Sequence, residues 1–171
     1  YRPIQSKDIC VLLRATSTLA PIYEKEIAER GYPVFSDSSS TYLESMEVET
    51  MLSLLKVIDN PMQDIPLVTV LRSNIFNFTD NDLMQIRLVD KQCRFYEAMQ
   101  KARISVDTEL RHKIATTIEK IQTWKAEEKY MALDELIWKI YLDTGFYHYV
   151  SLLPNGGLRQ ANLKMLFEKA K

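Results

Sequence analysis

Apolar positions follow two different rhythms along the 171 residues. Near the start, Asp8-Ile9-Cys10-Val11-Leu12-Leu13 is an almost unbroken apolar run. Such a run predicts a strand buried on both faces, as in a parallel sheet. Ser17 offers an N-cap for the next helix, with Pro21 in its first turn and Ile22, Ile27 and Ala28 on one side. Gly31 stops that helix. Pro33-Val34-Phe35 reads as a second strand, giving a right-handed β-α-β unit, and Ser36-Asp37-Ser38-Ser39-Ser40 as a polar loop.

From about Glu44 the spacing changes to that of helices. Val48, Met51, Leu52, Leu55 and Ile58 mark one face of a helix that Asn60-Pro61 ends. Beyond Pro61 the strand signals vanish. Helices are expected at about 66–72, 80–89, 94–102, 107–128, 132–143 and 158–170. Leu110, Ile114, Ile118, Ile121 and Trp124 form the apolar stripe of the longest. Thr79, with Asp82 three residues on, resembles a capping box in which Asp replaces the usual Glu or Gln. Asp143-Thr144-Gly145 and Pro154-Asn155-Gly156-Gly157 are breaks. The fold class expected is therefore mainly α with a small α/β part: a short parallel β-α-β unit, then an all-helical domain. The boundary falls near residue 60. No internal repeat points to a solenoid.

Charge changes this picture little. The net charge of −1 removes the simplest argument for nucleic-acid binding, a strongly basic domain. Residues 1–60 carry 6 basic and 9 acidic side chains, and residues 87–129 carry 10 and 7. A solvated face of mixed charge explains the second stretch as simply as a binding surface does. Cys10 and Cys93 form no disulfide or CxxC framework and read as core thiols. The sequence shows no signal peptide and no apolar run of about 18 residues, so a cytoplasmic protein without membrane contact is expected. The start at Tyr1 and the helical pattern at the last residues read as cuts from something longer.

Catalytic chemistry is hard to place. Of the four glycines, Gly31, Gly145, Gly156 and Gly157, none precedes the Lys-Ser or Lys-Thr of a phosphate-binding loop. His112 reads as solvated and His148 as an amphipathic packing residue, and neither has ligands at metal-binding spacing. Glu24/Glu26 and Glu127/Glu128 are charge runs rather than a placed acid–base pair. Trp124 and Trp138 read as core or interface.

Three segments carry a resemblance. Asp8-Ile9-Cys10-Val11-Leu12-Leu13-Arg14, followed after a helix by Gly31-Tyr32-Pro33-Val34, is the first. The second runs from Tyr42-Leu43-Glu44-Ser45-Met46-Glu47-Val48 to Ile58-Asp59-Asn60-Pro61. The third is Val70-Leu71-Arg72-Ser73, leading to Phe78-Thr79. Their order and spacing resemble the C-terminal half of the UvrD-like superfamily 1 helicases. Tyr1-Arg2-Pro3-Ile4-Gln5 and Leu158-Arg159-Gln160-Ala161-Asn162-Leu163 narrow the resemblance to the AddA-type helicase–nuclease branch. Ser45 and Thr50 depart from the Arg and Asp common in the second segment. Asn74 and Asn77 replace Pro and Gly of the loop that grips duplex backbone, though asparagine accepts left-handed geometry.

The resemblance implies that residues 1–60 belong to a RecA-like motor domain, 2A, and residues 61–171 to a helical 2B insertion. It implies a parent ATP-dependent DNA helicase with exonuclease activity that processes double-strand breaks for recombinational repair. This piece would contribute DNA positioning and domain contacts, not ATP hydrolysis. ATP and Mg²⁺ would serve the parent, with no cofactor held here. DNA, single-stranded and duplex, and a partner protein, AddB, are the partners implied. Arg14, Thr16 and Ser17 would sit on single-stranded DNA at the end of the first strand, Thr16 where relatives often place Asn. Arg72, Ser73, Asn77 and Thr79 would make phosphate contacts that position without reading sequence. Arg14 reads equally as a salt-bridge partner, and Arg159 as a DNA contact or an internal tether.

A second reading, a helical protein–protein module that binds a partner subunit, stays open. It predicts an exposed apolar patch and little basic clustering. DNA binding predicts a stripe of Arg87, Lys91, Arg94, Lys101, Arg103, Arg111 and Lys113 and a steep fall of affinity with salt.

Overall fold

The computed structural model describes residues 2–34 and 42–171, with Ser17 described by its backbone alone. The polar loop expected at Ser36–Ser40, and Phe35 of the expected second strand, lie outside these residues. The chain divides into two compact units at Ser45/Met46.

The first unit does not show the expected β-α-β unit. Among the described residues there is no strand. Asp8 instead closes a short 3₁₀ turn, Ser6–Asp8, where its carboxylate accepts from the Gln5 amide at 2.9 Å. Both of its oxygens also accept from the Arg2 guanidinium, at 2.9 and 2.6 Å. That Arg2 pair, with the Gln5 amide, holds the Asp8 carboxyl below its usual range. Ile9 leaves the turn in extended conformation, but no ladder forms and Ile9, Val11 and Leu12 are exposed. A strand exists only through pairing, and a two-stranded sheet is marginal by itself. Cys10 is exposed with them, and Cys93 half-buried, so neither is a core thiol.

The helix of this unit, α1 (Thr16–Glu29), starts one residue before Ser17, with Ala15 at its N-cap. Ser17 is thus inside the helix, and Pro21 lies beyond its first turn. Gly31 ends it with a positive φ of 79°, where a side chain would be strained.

The second unit is helical throughout its regular structure: α2 (Met46–Asp59), α3 (Asp64–Arg72), α4 (Asp80–Val89), α5 (Phe95–Ser105), α6 (Thr108–Glu127), α7 (Leu133–Thr144), α8 (Phe146–Ser151) and α9 (Gly156–Ala170). The helix α2 packs against α3, α6 and α9 and so is covered on several sides. Val48, Met51, Leu54, Val57 and Ile58 are fully buried, whereas Leu52 and Leu55 are half-buried. The stripe on α6 is buried as its spacing predicts, from Leu110 to Trp124. Trp124 donates its indole N–H to Asp143 at 3.1 Å, tying α6 to α7.

Two details were not visible in the pattern. Gly145 takes left-handed geometry, ending α7 and starting α8 without a linker. Gly156 begins α9 earlier than Leu158, pressed against the end of α8: a Cβ there would lie 2.1 Å from the Ser151 carbonyl oxygen. No helix of the described residues is long and apolar enough to cross a membrane.

Candidate nucleic-acid interface

Arg72, Ser73, Asn77 and Thr79 come together on one tight loop between α3 and α4. Ser73 leaves α3 in extended conformation while its amide still bonds the last helical turn. Its hydroxyl donates to the Val70 carbonyl at 2.6 Å and accepts from the Ile75 amide at 3.3 Å. The chain then folds back: the Asn77 amide reaches the Ser73 carbonyl at 2.7 Å, and the Phe78 amide reaches Leu71 at 2.8 Å. Closing so short a reversal puts Asn77 at φ 55°, the left-handed geometry asparagine tolerates. Ile75, Phe76 and Phe78 point inward and are buried, with Phe76 6.2 Å from the Trp124 ring. Arg72, Asn74, Asn77 and Thr79 are left on the exposed side.

Thr79 also starts α4. Its hydroxyl accepts from the Asp82 amide at 3.1 Å, and Asp82 accepts from the Thr79 amide at 2.9 Å. The capping box forms with Asp because its shorter side chain still reaches back one turn. Burial pushes the Asp82 carboxyl up, but the Thr79 amide and Lys113 together outweigh it and hold the pKa below normal. Arg72 meets Asp80 at 3.1 Å in solvent, a pair worth little and easily exchanged for another anion.

Arg14, Thr16 and Ser17 belong to the first unit, at the N-terminus of α1. Arg14 is exposed and makes no ion pair with the described residues. Thr16 is the first helical residue, and no side chain caps that end. Free amides at a helix start favour anions.

Arg159 is tied inside the second unit. Its Nη1 donates to Glu47 Oε2 at 2.6 Å and its Nε to the Pro154 carbonyl at 3.0 Å. Asn162 donates to the other Glu47 oxygen at 2.8 Å. Glu47 is 1% exposed; a carboxylate that deep requires such partners. Glu47 and Asn162 stand in the sequence as members of two motifs, with no role that their spacing alone assigns. The signal was present: Glu47 shares the stripe of Met51, Leu54 and Ile58, and Arg159 and Asn162 stand three apart on one helix face.

The expected basic stripe is largely spent on internal contacts. Arg87 donates to the Cys93 carbonyl at 2.7 Å and to Asp64 at 3.2 Å, over the Phe95 ring. Arg94 reaches the Met62 carbonyl at 2.9 Å. Lys101 pairs with Asp90 at 2.6 Å, and Arg111 caps the end of α5 at Ile104 and Val106. Lys113 bonds Asn77 and Asp82. Among the described residues, Lys91 and Arg103 alone of the seven have no partner.

A second surface lies between α7 and α9. A groove of about 440 Å³ is lined by Trp138, Leu142 and Phe167 together with Asp134, Glu135, Lys139, Asp143 and Lys164. Trp138 stands 5.4 Å from Phe167 and 5.6 Å from Tyr147, and it is 40% exposed. His112 and His148 are exposed, and no group of metal-ligating side chains occurs among the described residues.

No family model matches the chain. Curated proteins do. The chain is 47% identical over 171 residues to a protein of Thermoanaerobacter sp. (strain X514), covering 100% of this chain and 14% of that protein. It is 42% identical over 197 residues to one of Clostridium botulinum (strain Loch Maree / Type A3), covering 100% and 15%. Both relatives are named as the A component of an ATP-dependent helicase/nuclease. The chain therefore spans about a seventh of the length of the curated relatives it matches.

Proposed function

We propose, from this chain's homology over its whole length to a segment of the AddA-type ATP-dependent helicase/nucleases, that it serves as a DNA-positioning segment of such an enzyme. The whole-length identity carries this reading. The parent would unwind and digest DNA at double-strand breaks in the cytoplasm, together with a second protein of the AddB kind. ATP and Mg²⁺ would act on residues outside this segment, whose glycines lack the following Lys-Ser or Lys-Thr.

Within the segment, the exposed rim Arg72, Asn74, Asn77 and Thr79 would meet duplex backbone. The loop is closed by hydrogen bonds of its own backbone, and its Arg72–Asp80 pair is solvent-exposed, which suits exchange of the carboxylate for a phosphate. Arg14 and the uncapped start of α1, with Thr16 and Ser17, would take single-stranded backbone. The exposed run Ile9, Val11 and Leu12 would become a strand of a parallel sheet once other strands pair with it. Arg159 would serve as a tether, since Glu47 and Pro154 hold it.

Fluorescence anisotropy of a labelled forked duplex tests this reading. Binding at low salt that falls steeply as salt rises is expected. No binding at low salt would remove the DNA role from this segment.

The aromatic groove supports a second reading, a docking surface for a partner protein. Its aromatic lining with exposed Trp138, among side chains of both charges, suits a peptide better than a phosphate chain.

A further inference from the structure

Lys113 lies on α6, 36 residues from Asn77 in sequence. Its ammonium donates to the Asn77 carbonyl at 2.7 Å and to Asp82 Oδ2 at 2.9 Å. It also sits 4.6 Å from the centroid of the Phe78 ring. The same Asp82 oxygen accepts the Thr79 amide that opens α4. One side chain from a distant helix therefore grips the left-handed residue, the buried aromatic beside it and the cap that follows. Left-handed geometry in a residue other than glycine persists best where surrounding contacts over-determine it. Lys113 supplies such a contact. Only about a third of its side chain is exposed, at 31%, and the ammonium is already occupied by two acceptors of the fold.

We propose that Lys113 is a positioning residue: it fixes the Ser73–Thr79 loop so that Arg72, Asn74, Asn77 and Thr79 form one exposed rim, and it makes no phosphate contact of its own. The proposal rests on the reading of that rim as a nucleic-acid contact, and it assigns Lys113 to the loop rather than to a basic stripe.

The 171-residue chain, Lys113→Met and Lys113→Arg distinguish the two roles. Methionine keeps the packing over Phe78 and removes the donor; arginine keeps charge and donors. Amide hydrogen exchange at Asn77 and Phe78 should accelerate about tenfold in K113M, as expected for loss of a hydrogen bond to a charged group. Exchange at Ile118 and Trp124 should not change, and K113R should restore protection. Duplex affinity should fall in K113M with the salt slope of the unaltered chain. Unchanged exchange at Asn77 and Phe78 would overturn the proposal. So would a salt slope smaller by about 0.9, the mark of one lost phosphate contact, with loop protection intact. If the unaltered chain binds no duplex, the functional reading falls, while the exchange comparison still decides whether Lys113 sets the loop.

Discussion

Replacing Glu47 by alanine removes a carboxylate acceptor that joins the start of α2 to α9. Glu47 Oε2 holds Arg159 at 2.6 Å and Oε1 holds Asn162 at 2.8 Å. The carboxylate side chain is 2% exposed and that of Arg159 27%. Alanine leaves a half-buried guanidinium without its counter-charge and an amide without its acceptor. Breaking a buried pair from one side costs about 3–5 kcal/mol, and the partial exposure of Arg159 argues for the lower end, about 3. For a unit of this size that corresponds to a fall in melting temperature of about 10 °C, read by circular dichroism or calorimetry. Arg159→Ala should cost at least as much, because the group it abandons is the deeper one. Glu47→Gln keeps the Asn162 bond but sets an amide against Arg159, so about half the loss is expected. E47M combined with R159M should recover much of the stability, since apolar replacement of both partners removes the unpaired charge. A shift below about 2 °C for E47A, typical of a surface substitution, would refute the tether.

Other consequences follow from particular contacts. Gly156→Ala places a methyl 2.1 Å from the Ser151 carbonyl oxygen and should lower the urea midpoint by an amount equivalent to about 2–3 kcal/mol, the cost of overpacking. The Lys101 ammonium, with the amides of Gln92 and Cys93, holds the Asp90 carboxyl far below its usual range. Its stabilising share is therefore full above the unfolded carboxylate value of about 4 and is lost as pH falls further, so Tm differences between the unaltered chain and D90N should shrink from about pH 5 to pH 2.5. Trp124 is 1% exposed and Trp138 40%; W138F should remove most of the acrylamide-quenchable emission, and persistence of that quenching would contradict the exposed groove.

The helical half was readable because its information is local. On α6 an apolar residue recurs every three or four positions and each one is buried. Thr79 and Asp82, three positions apart, announce the cap of α4. On α2 the phase was harder to read, since burial against α3, α6 and α9 leaves too little polar surface to mark a single face. The six-residue α8 is too short to display a period and is set by Gly145. The strand at Asp8–Leu13 was an inference about partners, and pairing is non-local; the described residues provide none. Glu47 and Arg159 are 112 residues apart in sequence. The basic residues on α4 to α6 looked like a surface stripe because a sequence does not reveal which cations close helix ends. Arg111 closes the end of α5 in that way, and Arg94 holds the turn at Met62 between α2 and α3.

Photo-crosslinking of a forked duplex to this chain, with the adducts mapped by mass spectrometry, addresses the DNA-positioning role most directly. Adducts at residues 72–79 and 14–18, lost as salt rises, are the predicted result. Adducts confined to the Trp138–Phe167 groove, or none at low salt, would contradict it.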